Sequence, residues 1–302
     1  LNGGAGQDTL GGGDGNDTIT DTSVETNGNG NNLSGGAGND TITGGEGNDS
    51  ITSGTGNDSI VAAGGNDTIT NAAGGDDTML GGAGDDTITG GTGNESIDGG
   101  AGNDTYTMGT VWNSADVISD TSGTADVLTV TASSAVTAGT TSGVETITAT
   151  FDANGAGADI LALASVSGVT TLNLTGSVNN AIATVTGLNT GATVKVTHAN
   201  VDTVDVDTAA GASLTLEQNV TTTGTVTISD AATVTITNTS ATAGVVTGDT
   251  TLDATDTTTL TVAAGTAADL TLADIKGTDK VTAATFTAQT SGQDLQVATL
   301  VD

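Results

Sequence analysis

The first third of the chain repeats a nine-residue pattern in which one apolar residue stands among polar residues and glycines. Residues 35–52, GGAGNDTITGGEGNDSIT, contain this pattern twice. A degenerate copy, TNGNGNNLS, covers residues 26–34 with Asn31 in place of the acid, and Asn71 is a one-residue insertion. Aligned on Gly-Gly-x-Gly-x-Asp-x-U-x, where U is apolar, ten repeats begin at Gly3, Gly12, Gly35, Gly44, Ser53, Ala62, Ala72, Gly81, Gly90 and Gly99.

Each repeat predicts a tight turn of six residues followed by a strand of three. Glycine, with Asn or Asp in the fifth position, suits the positive φ angles of such a turn. Side chains alternate along a strand, so the apolar residue points inward and its Thr neighbours face outward. One inward residue in nine makes a thin core that only neighbouring repeats can complete, which is typical of a solenoid.

Beyond about Met108 the nonapeptides stop, and short alternating strands rich in Thr, Val and Ala follow. Their spacing of roughly 8 to 12 residues suits a β-sandwich and also a less regular β-solenoid. We expect at most one helical turn, in LTLADIKGTDKV at residues 270–281. The predicted strands are VETITATF from Val144, TLNLT from Thr171, TVKVT from Thr193, TVDVD from Thr203, SLTLE from Ser213, TVTIS from Thr225, TVTIT from Thr233 and TLTVA from Thr259.

The pattern therefore divides the chain into two predicted domains. Residues 1–107 form the repeat region, and residues 108–302 form a Thr/Val/Ala-rich β-strand region. Leu1 and Asn2 fill the eighth and ninth positions of an earlier repeat, and no Met precedes them, so we expect the sequence to belong to a longer protein. At the other end of the repeats, Tyr106 and Trp112 are expected to cap the exposed end of the stack.

Charge narrows the partners that such a chain can bind. The sequence holds 36 acids against Lys195, Lys276 and Lys280, for a formal net charge of −33. Phosphate contacts depend on Lys and Arg, so we expect neither nucleic acid nor bare anionic lipid as a partner. An acidic field of this strength attracts cations instead.

The residues that are absent exclude several kinds of chemistry. The chain has no cysteine and no proline, which rules out disulfides and thiolate metal sites and suits a chain made mostly of paired strands. No run of 18 apolar residues occurs, so we expect no transmembrane segment. With His198 as the single histidine and no GxSxG elbow, the sequence shows neither an HExxH zinc site nor the motif of a Ser-His-Asp triad. We therefore expect no catalytic residues and no enzymatic activity.

The ten nonapeptides resemble the RTX, or repeats-in-toxin, calcium-binding repeat over residues 3–107. In that family two repeats make one turn of a right-handed parallel β-roll, with calcium between the glycine loops of repeats i and i+2 on each edge. The resemblance implies an all-β fold, in which a right-handed parallel β-roll, an RTX β-solenoid, is followed by a Thr/Val-rich β-solenoid or β-sandwich region. Carboxylates and the exposed carbonyls of glycine turns supply the six to eight oxygens that Ca²⁺ prefers.

The resemblance also implies the ligands of several Ca²⁺ ions, on the order of six sites across residues 35–107. The implied carboxylates are the sixth-position acids Asp8, Asp17, Asp40, Asp49, Asp58, Asp67, Asp77, Asp86, Glu95 and Asp104. The implied backbone carbonyls lie near Gly36, Gly38, Gly45, Gly47, Gly54, Gly56, Gly82, Gly84, Gly91, Gly93, Gly100 and Gly102.

Several residues depart from the motif, and we expect weaker or distorted sites at each of them. Glu95 is one methylene longer than Asp, Ala63 and Ala73 replace the second glycine, and Asn31 brings no charge. The degenerate copy predicts a weak point between Asp21 and Ser34. The alternative to a metal site is a ladder of Asp and Asn that stacks without metal.

Three functions fit these patterns. The first is a calcium-dependent extracellular structural protein that folds on secretion and assembles into a surface layer (S-layer), since the strand region is similar in composition to the assembly regions of RTX surface-layer proteins. The alternatives are an RTX adhesin or biofilm-matrix protein and the C-terminal secretion portion of an RTX enzyme or toxin. Almost 200 residues of patterned strands follow the repeats, whereas a secretion tail needs only a short signal.

A calcium-triggered fold is common to all three functions. The charge should keep the repeats unfolded in a cytosol poor in calcium, and millimolar calcium outside should fold them. RTX proteins leave by type I secretion, so the resemblance implies an extracellular location, on the bacterial cell surface in the case of an S-layer. We expect self-association through calcium bridges, and a cell-surface polysaccharide is a further candidate partner through regions outside this chain.

Overall fold

The structure is a computed structural model, and its described part is built of strands. The described residues are 1–21, 29–71, 74–132, 135–152, 159–163, 165–176, 181–188, 191–196, 201–218, 226–238, 244–245, 250–252, 259–264, 270–276, 283–288 and 295–301. None of them is in a helix, and this part of the chain has no helix long and apolar enough to cross a membrane. Ala73, His198 and most of the predicted weak point lie outside these residues.

The strands are short and numerous. The first fifteen are β1 (Thr9–Asp14), β2 (Thr18–Thr20), β3 (Asn29–Ala37), β4 (Thr41–Glu46), β5 (Asn48–Thr55), β6 (Ser59–Gly64), β7 (Thr68–Thr70), β8 (Thr78–Ala83), β9 (Thr87–Thr89), β10 (Ser96–Ala101), β11 (Thr105–Gly109), β12 (Val117–Ser119), β13 (Val127–Ala132), β14 (Val136–Thr137) and β15 (Thr140–Ser142). The others are β16 (Thr146–Phe151), β17 (Asp159–Ala162), β18 (Thr171–Gly176), β19 (Ala181–Leu188), β20 (Thr193–Val196), β21 (Val201–Gln218), β22 (Val226–Asn238), β23 (Gly244–Val245), β24 (Thr250–Leu252), β25 (Thr259–Ala264), β26 (Leu270–Lys276), β27 (Ala283–Ala288) and β28 (Leu295–Val301).

The strands group into two compact units. The first contains residues 1–130 and 138–146, and the second contains residues 131–137 and 147–302. The predicted division at residue 107 follows the sequence pattern, and it stays a prediction.

Successive strands of the first unit alternate between two parallel sheets. One sheet has the order β2-β4-β6-β8-β10-β12-β15, and the other pairs β1, β3, β5, β7, β9, β11 and β13 in turn. Ile42 pairs with Ile60, and Ile60 pairs with Met79, so two repeats make one turn. The all-β fold and the parallel β-solenoid expected from the repeats are therefore confirmed.

The core of the first unit is a stack of the apolar eighth-position residues. Ile42 and Ile60 are fully buried, whereas Thr41 and Ser59 beside them are exposed, as the alternation predicts. Most strands are longer than the predicted three residues because the ladder continues into the glycine turns, where Gly45 pairs with Ala63.

The prediction that Tyr106 caps the stack is wrong. Tyr106 is fully buried and pairs with Ile88 on one side and Leu128 on the other, because β13 adds a further turn beyond β11. Trp112 is buried in the connection between β11 and β12. The stack therefore continues past the last nonapeptide, although the sequence of the turns changes.

The second unit is also a stack of parallel strands. Eleven pairings among its strands β17 to β28 are parallel, which favours the solenoid over the sandwich left open by the sequence. Leu172, Val194 and Leu216 are buried one above the other. The residue before each of these is a threonine, and such threonines pair from strand to strand in a column of six: Thr171, Thr193, Thr215, Thr235, Thr261 and Thr285.

The helical turn considered for residues 270–281 is wrong over its described part. Residues 270–276 form β26, and Leu270 pairs with Leu295 of β28. The segment that contains Leu270, Leu272 and Ile275 forms a strand because its parallel partner, β28, takes up its backbone hydrogen bonds.

Ala63 is the one described residue other than glycine with a positive φ, of 87°. This conformation costs a residue with a β-carbon about 1 to 2 kcal/mol. Glycine avoids that cost, but it loses more conformational entropy on folding, which cancels part of the gain in stability. We predict that Ala63→Gly stabilises the calcium-loaded chain by up to about 1 kcal/mol, measured as a higher midpoint of thermal unfolding.

Gly82→Ala, one turn along the same stack, is the matched control. A β-carbon on Gly82 would lie closer than 3.0 Å to the carbonyl oxygen of Ala63, so this change should lower the midpoint. An unchanged or lower midpoint for Ala63→Gly would show that the left-handed alanine is not strained.

Candidate metal centre

The glycine turns bring the backbones of adjacent turns into close contact. All but Gly91 of the twelve glycines named for their carbonyls have positive φ. A β-carbon on Gly36 or Gly54 would lie closer than 3.0 Å to the carbonyl oxygen one turn below, on Gly13 or Gly36. Glycine at these positions therefore lets the turns stack closely and leaves the carbonyls of each edge free of side chains.

The sixth-position residues form two columns, one on each edge of the first unit. The first column contains Asp17, Asp40, Asp58, Asp77, Glu95 and Asp116, and the second contains Asp8, Asn31, Asp49, Asp67, Asp86, Asp104, Asp126 and Glu145. Along most of each column, a backbone amide donates to the side-chain oxygen of the column member in the next turn, at 2.6–2.9 Å. Asp40 and Asp49, from successive repeats, thus lie in different columns, and each pairs two repeats away.

This ladder uses only one oxygen of each carboxylate. The second oxygen is buried without a hydrogen-bond donor at nine aspartates. They are Asp8, Asp17, Asp40, Asp49, Asp58, Asp67, Asp86, Asp104 and Asp126. An oxygen of this kind is costly unless a proton or a cation satisfies it.

Oxygens of two turns converge beside the first-position glycines. A β-carbon on Gly35 would lie closer than 3.0 Å both to Oδ2 of Asp40 and to the carbonyl oxygen of Ser53 in the next turn. The same arrangement of a free Oδ2 and a carbonyl recurs beside Gly12, Gly44 and Gly81. Carboxylate and carbonyl oxygens brought together in this way are the donor set that Ca²⁺ prefers.

Several carboxyl groups of the columns have a raised pKa. Burial raises the pKa of Asp67 to about 7 and that of Asp86 to about 6, and the nearby carboxylates add to the shift for Asp67. Burial, with Asp116 as its neighbour, also raises the pKa of Glu95. A raised pKa means that burial disfavours the bare carboxylate, which a proton or a cation would stabilise.

The fifth-position residues form a second, exposed ladder that runs in the opposite direction. The amide of Asn57 donates to the side-chain oxygen of Asn39 at 2.9 Å, and the amide of Asn66 donates to that of Asn48 at the same distance. These hydrogen bonds leave the second carboxylate oxygens of the columns free, so they do not compete with metal binding. The alternative of a ladder that stacks without metal stays a prediction.

Three column residues were missed by the sequence motif. Asp116, Asp126 and Glu145 continue the two columns beyond the nonapeptides and accept hydrogen bonds from the amides of Glu95, Asp104 and Asp126. The signal that could have found them is the acid two residues before a buried apolar residue, as in Asp116-Val-Ile118, which persists after the glycines are lost.

The residues that depart from the motif change the columns in different ways. Neither carboxylate oxygen of Glu95 has a hydrogen-bond donor, so its longer side chain does not accept the amide of Asp77 as an aspartate would. The side-chain amide of Asn31 donates to Asp21 at 2.8 Å, and that of Asn71 donates to Oδ2 of Asp77. At these two turns an amide satisfies a carboxylate oxygen that is left free elsewhere.

Comparison with known proteins agrees with this chemistry. Four copies of a family model, the RTX calcium-binding nonapeptide repeat, match residues 1–20, 26–60, 34–69 and 71–106. No curated protein and no solved structure matched the chain.

The fold and the columns define a calcium-binding β-solenoid. The repeats identify it further: residues 1–20, 26–69 and 71–106 match the RTX calcium-binding nonapeptide repeat, and repeats of this kind bind Ca²⁺. The free column oxygens fit several such ions. Proteins with these repeats are typically exported by type I secretion systems.

We predict that the full chain is largely disordered in chelator near neutral pH and gains strand structure when calcium is added, as measured by circular dichroism. At about 10 mM calcium and dissociation constants of about 0.1 to 1 mM, each site adds about 1.4 to 2.7 kcal/mol of stability. A chain that is equally folded and equally heat-stable in chelator would contradict the role assigned to the columns.

The raised pKa values predict that pH acts in opposite directions with and without calcium. A carboxyl whose folded pKa lies above its unfolded value of about 4 stabilises the fold at low pH, and that contribution disappears as pH rises through about 6 to 7. The metal-free chain should therefore be more folded at pH 5 than at pH 8. In calcium the order should reverse, because calcium binds the deprotonated carboxylates.

The measurement is strand content and unfolding midpoint at both pH values, in calcium-depleted and calcium-containing buffer. A metal-free chain that becomes more folded between pH 5 and pH 8 would show that the columns are not destabilised by their own charge.

Proposed function

We propose that this chain is a calcium-dependent extracellular structural protein that folds on secretion and assembles into a surface layer. The observation that carries the proposal is that the second unit, like the first, is built of parallel strands, through its described residues as far as Val301. A stack of parallel strands presents the same surface at each turn, as the threonine column of the second unit does. Repeated surfaces suit side-by-side assembly, and the proposal includes no catalytic role.

Calcium supplies the trigger in this proposal. In a cytosol poor in calcium, the columns repel themselves and the thin core does not compensate, so the chain remains competent for type I export. Outside the cell, calcium enters between the turns and folds the stack. The direction of folding is then set by the difference in calcium between the two compartments.

Calcium also bridges neighbouring copies in this proposal. Glu46, Asp76 and Asp85 are exposed on the turns and lie outside the two columns. With a net charge of −33, two such surfaces repel each other unless cations lie between them. These exposed acids are suitable ligands for bridging ions.

We predict that purified chains form regular sheets in millimolar calcium, that chelation disperses them, and that magnesium restores them only in part. Magnesium demands a tight octahedron and gives up its water reluctantly, so it replaces calcium poorly at irregular carboxylate bridges. Electron microscopy of the assembly with and without calcium is the measurement. Sheets that persist in chelator would contradict calcium bridging.

The alternatives give other results in the same experiment. An adhesin or biofilm-matrix protein would fold in calcium and remain dispersed until its ligand is supplied. The secretion portion of an RTX enzyme or toxin would also remain dispersed, and the full-length gene would encode an HExxH or GxSxG motif upstream of Leu1.

A further inference from the structure

Three carboxylates meet where the nonapeptides end. Asp104 belongs to the last nonapeptide, and Asp120 and Asp126 lie in the connection between β12 and β13. Each offers a carboxylate oxygen, and these oxygens all lie within 4.8 Å of one another. Asp120 comes directly after β12, where a nonapeptide strand would be followed by the first residue of the next repeat. Its amide donates to the carbonyl oxygen of Ser142 in the next turn, at 2.9 Å. A carboxylate thus stands where most nonapeptides have glycine.

The hydrogen bonds of this cluster leave oxygens without donors. Asp126 Oδ1 accepts the amide of Asp104 at 2.7 Å, and Asp120 accepts the hydroxyl of Tyr106 at 2.8 Å and the amide of Ser122 at 3.0 Å. Oδ2 of Asp104 and Oδ2 of Asp126 are buried without a donor, and both residues are completely buried. Two unpartnered oxygens therefore lie in one acidic cluster.

Backbone geometry adds a further oxygen. A β-carbon on Gly123 would lie closer than 3.0 Å to both carboxylate oxygens of Asp126 and to the carbonyl oxygen of Gly102. A β-carbon on Gly99 would approach Oδ2 of Asp104 and the Tyr106 hydroxyl in the same way. Glycine at both positions leaves the oxygens room to face one another.

The charge of the cluster has no counter-ion within the first unit. Residues 1–146 contain no Lys and no Arg, so the three carboxylates meet no basic side chain of their own unit. Oxygen donors with this negative charge suit a hard divalent cation, and calcium tolerates such irregular geometry. A shallow surface depression is lined by residues next to the cluster along the chain: Gly102, Asn103, Ser122, Gly123 and Thr124.

We propose that Asp104, Asp120 and Asp126 form a calcium site of their own kind, tighter than the glycine-loop sites and filled before them. Calcium affinity rises with the number of charged ligands and with the rigidity of the site. Here a third carboxylate is added, and Tyr106 and Ser122 hold it in place. The site deepens the calcium-triggered folding in the proposed function, and it does not depend on assembly into a surface layer.

Tyr106 makes the site measurable in the full chain. The chain has one tyrosine and one tryptophan, and terbium, which replaces calcium at oxygen sites, emits when an excited aromatic ring lies next to it. Terbium bound at the cluster should therefore emit through Tyr106. Excitation at wavelengths that only tryptophan absorbs gives the contribution of Trp112, which is subtracted.

In one experiment the calcium-free full chain is titrated with terbium. In a second, the terbium-loaded chain is titrated with calcium, which displaces the terbium. For the wild type, tyrosine-sensitised emission should saturate before most ions have bound. Asp120→Asn should raise the terbium concentration at half-emission by roughly 10- to 100-fold, the loss typical even of changes around a metal's direct ligands. Asp14→Asn, the same charge change at an exposed acid, should leave the curve unchanged.

Asp58→Asn tests that the signal belongs to the cluster. It removes a glycine-loop carboxylate, so it should lower the number of ions bound and leave the tyrosine-sensitised curve in place. Circular dichroism in saturating calcium shows whether each variant folds, and the order of filling in the wild type tests the proposal even if Asp120→Asn does not fold.

Two outcomes would overturn the proposal. One is wild-type emission that grows only with the last ions bound, and the other is an Asp120→Asn curve that coincides with that of the wild type. Neither outcome depends on the formation of sheets. Early emission in a chain that forms no sheets would reject only the proposed surface layer, and sheets formed by a chain without early emission would reject only this calcium site.

Discussion

Repulsion between stacked carboxylates is the constraint on which the first unit depends. Parallel strands lie about 4.8 Å apart, so each column brings one buried charge to within about 5 Å of the next. At an effective dielectric constant of about 20, that repulsion is about 3 kcal/mol for each neighbouring pair. A charged hydrogen bond contributes about 1.5 to 3 kcal/mol, and most neighbouring pairs in a column have one such bond. The ladder amides therefore at most balance the repulsion, and the buried second oxygens still lack a proton or a cation.

The glycine turns follow from the same constraint. Cations need backbone oxygens as well as carboxylates, and these are exposed only where adjacent turns touch without side chains between them. Such turns contribute no apolar surface, so the core is left with one buried residue for each repeat, such as Ile42 or Ile60. The unit thus gives up hydrophobic stability for metal ligands.

The sequence predicts the repeat region well because two independent periods agree there. The Thr-Ile-Thr alternation predicts the strands, and the nine-residue spacing predicts which turns are neighbours, as the pairs of Asp40 with Asp58 and of Asp49 with Asp67 show. Asp126 was missed because the motif requires a glycine loop before the acid, whereas the column requires only an acid two residues before a buried apolar side chain.

Beyond the repeats, alternation alone carries less information. It predicts that residues such as 171–176 form strands, but it is the same in a parallel and in an antiparallel sheet, so solenoid and sandwich stayed open. The error at Tyr106 has the same origin. Its partner Leu128 lies in a strand without a nonapeptide, and the sequence shows no reason for that strand to stack on β11.

Calcium dependence is not uniform along the columns, because two turns carry an internal substitute for the cation. Asn71, inserted between repeats, donates its side-chain amide to the Asp77 oxygen that is free at most other positions. At Asn31 the donor and the acceptor exchange places. The amide is that of the column residue Asn31, and the carboxylate is that of Asp21, at the first position of its repeat. A neutral amide beside a carboxylate leaves one negative charge where Asp104, Asp120 and Asp126 place three. The turns at Asn31 and Asn71 thus gain less stability from calcium, and the three-carboxylate cluster gains most, although all of them belong to the stack of the first unit.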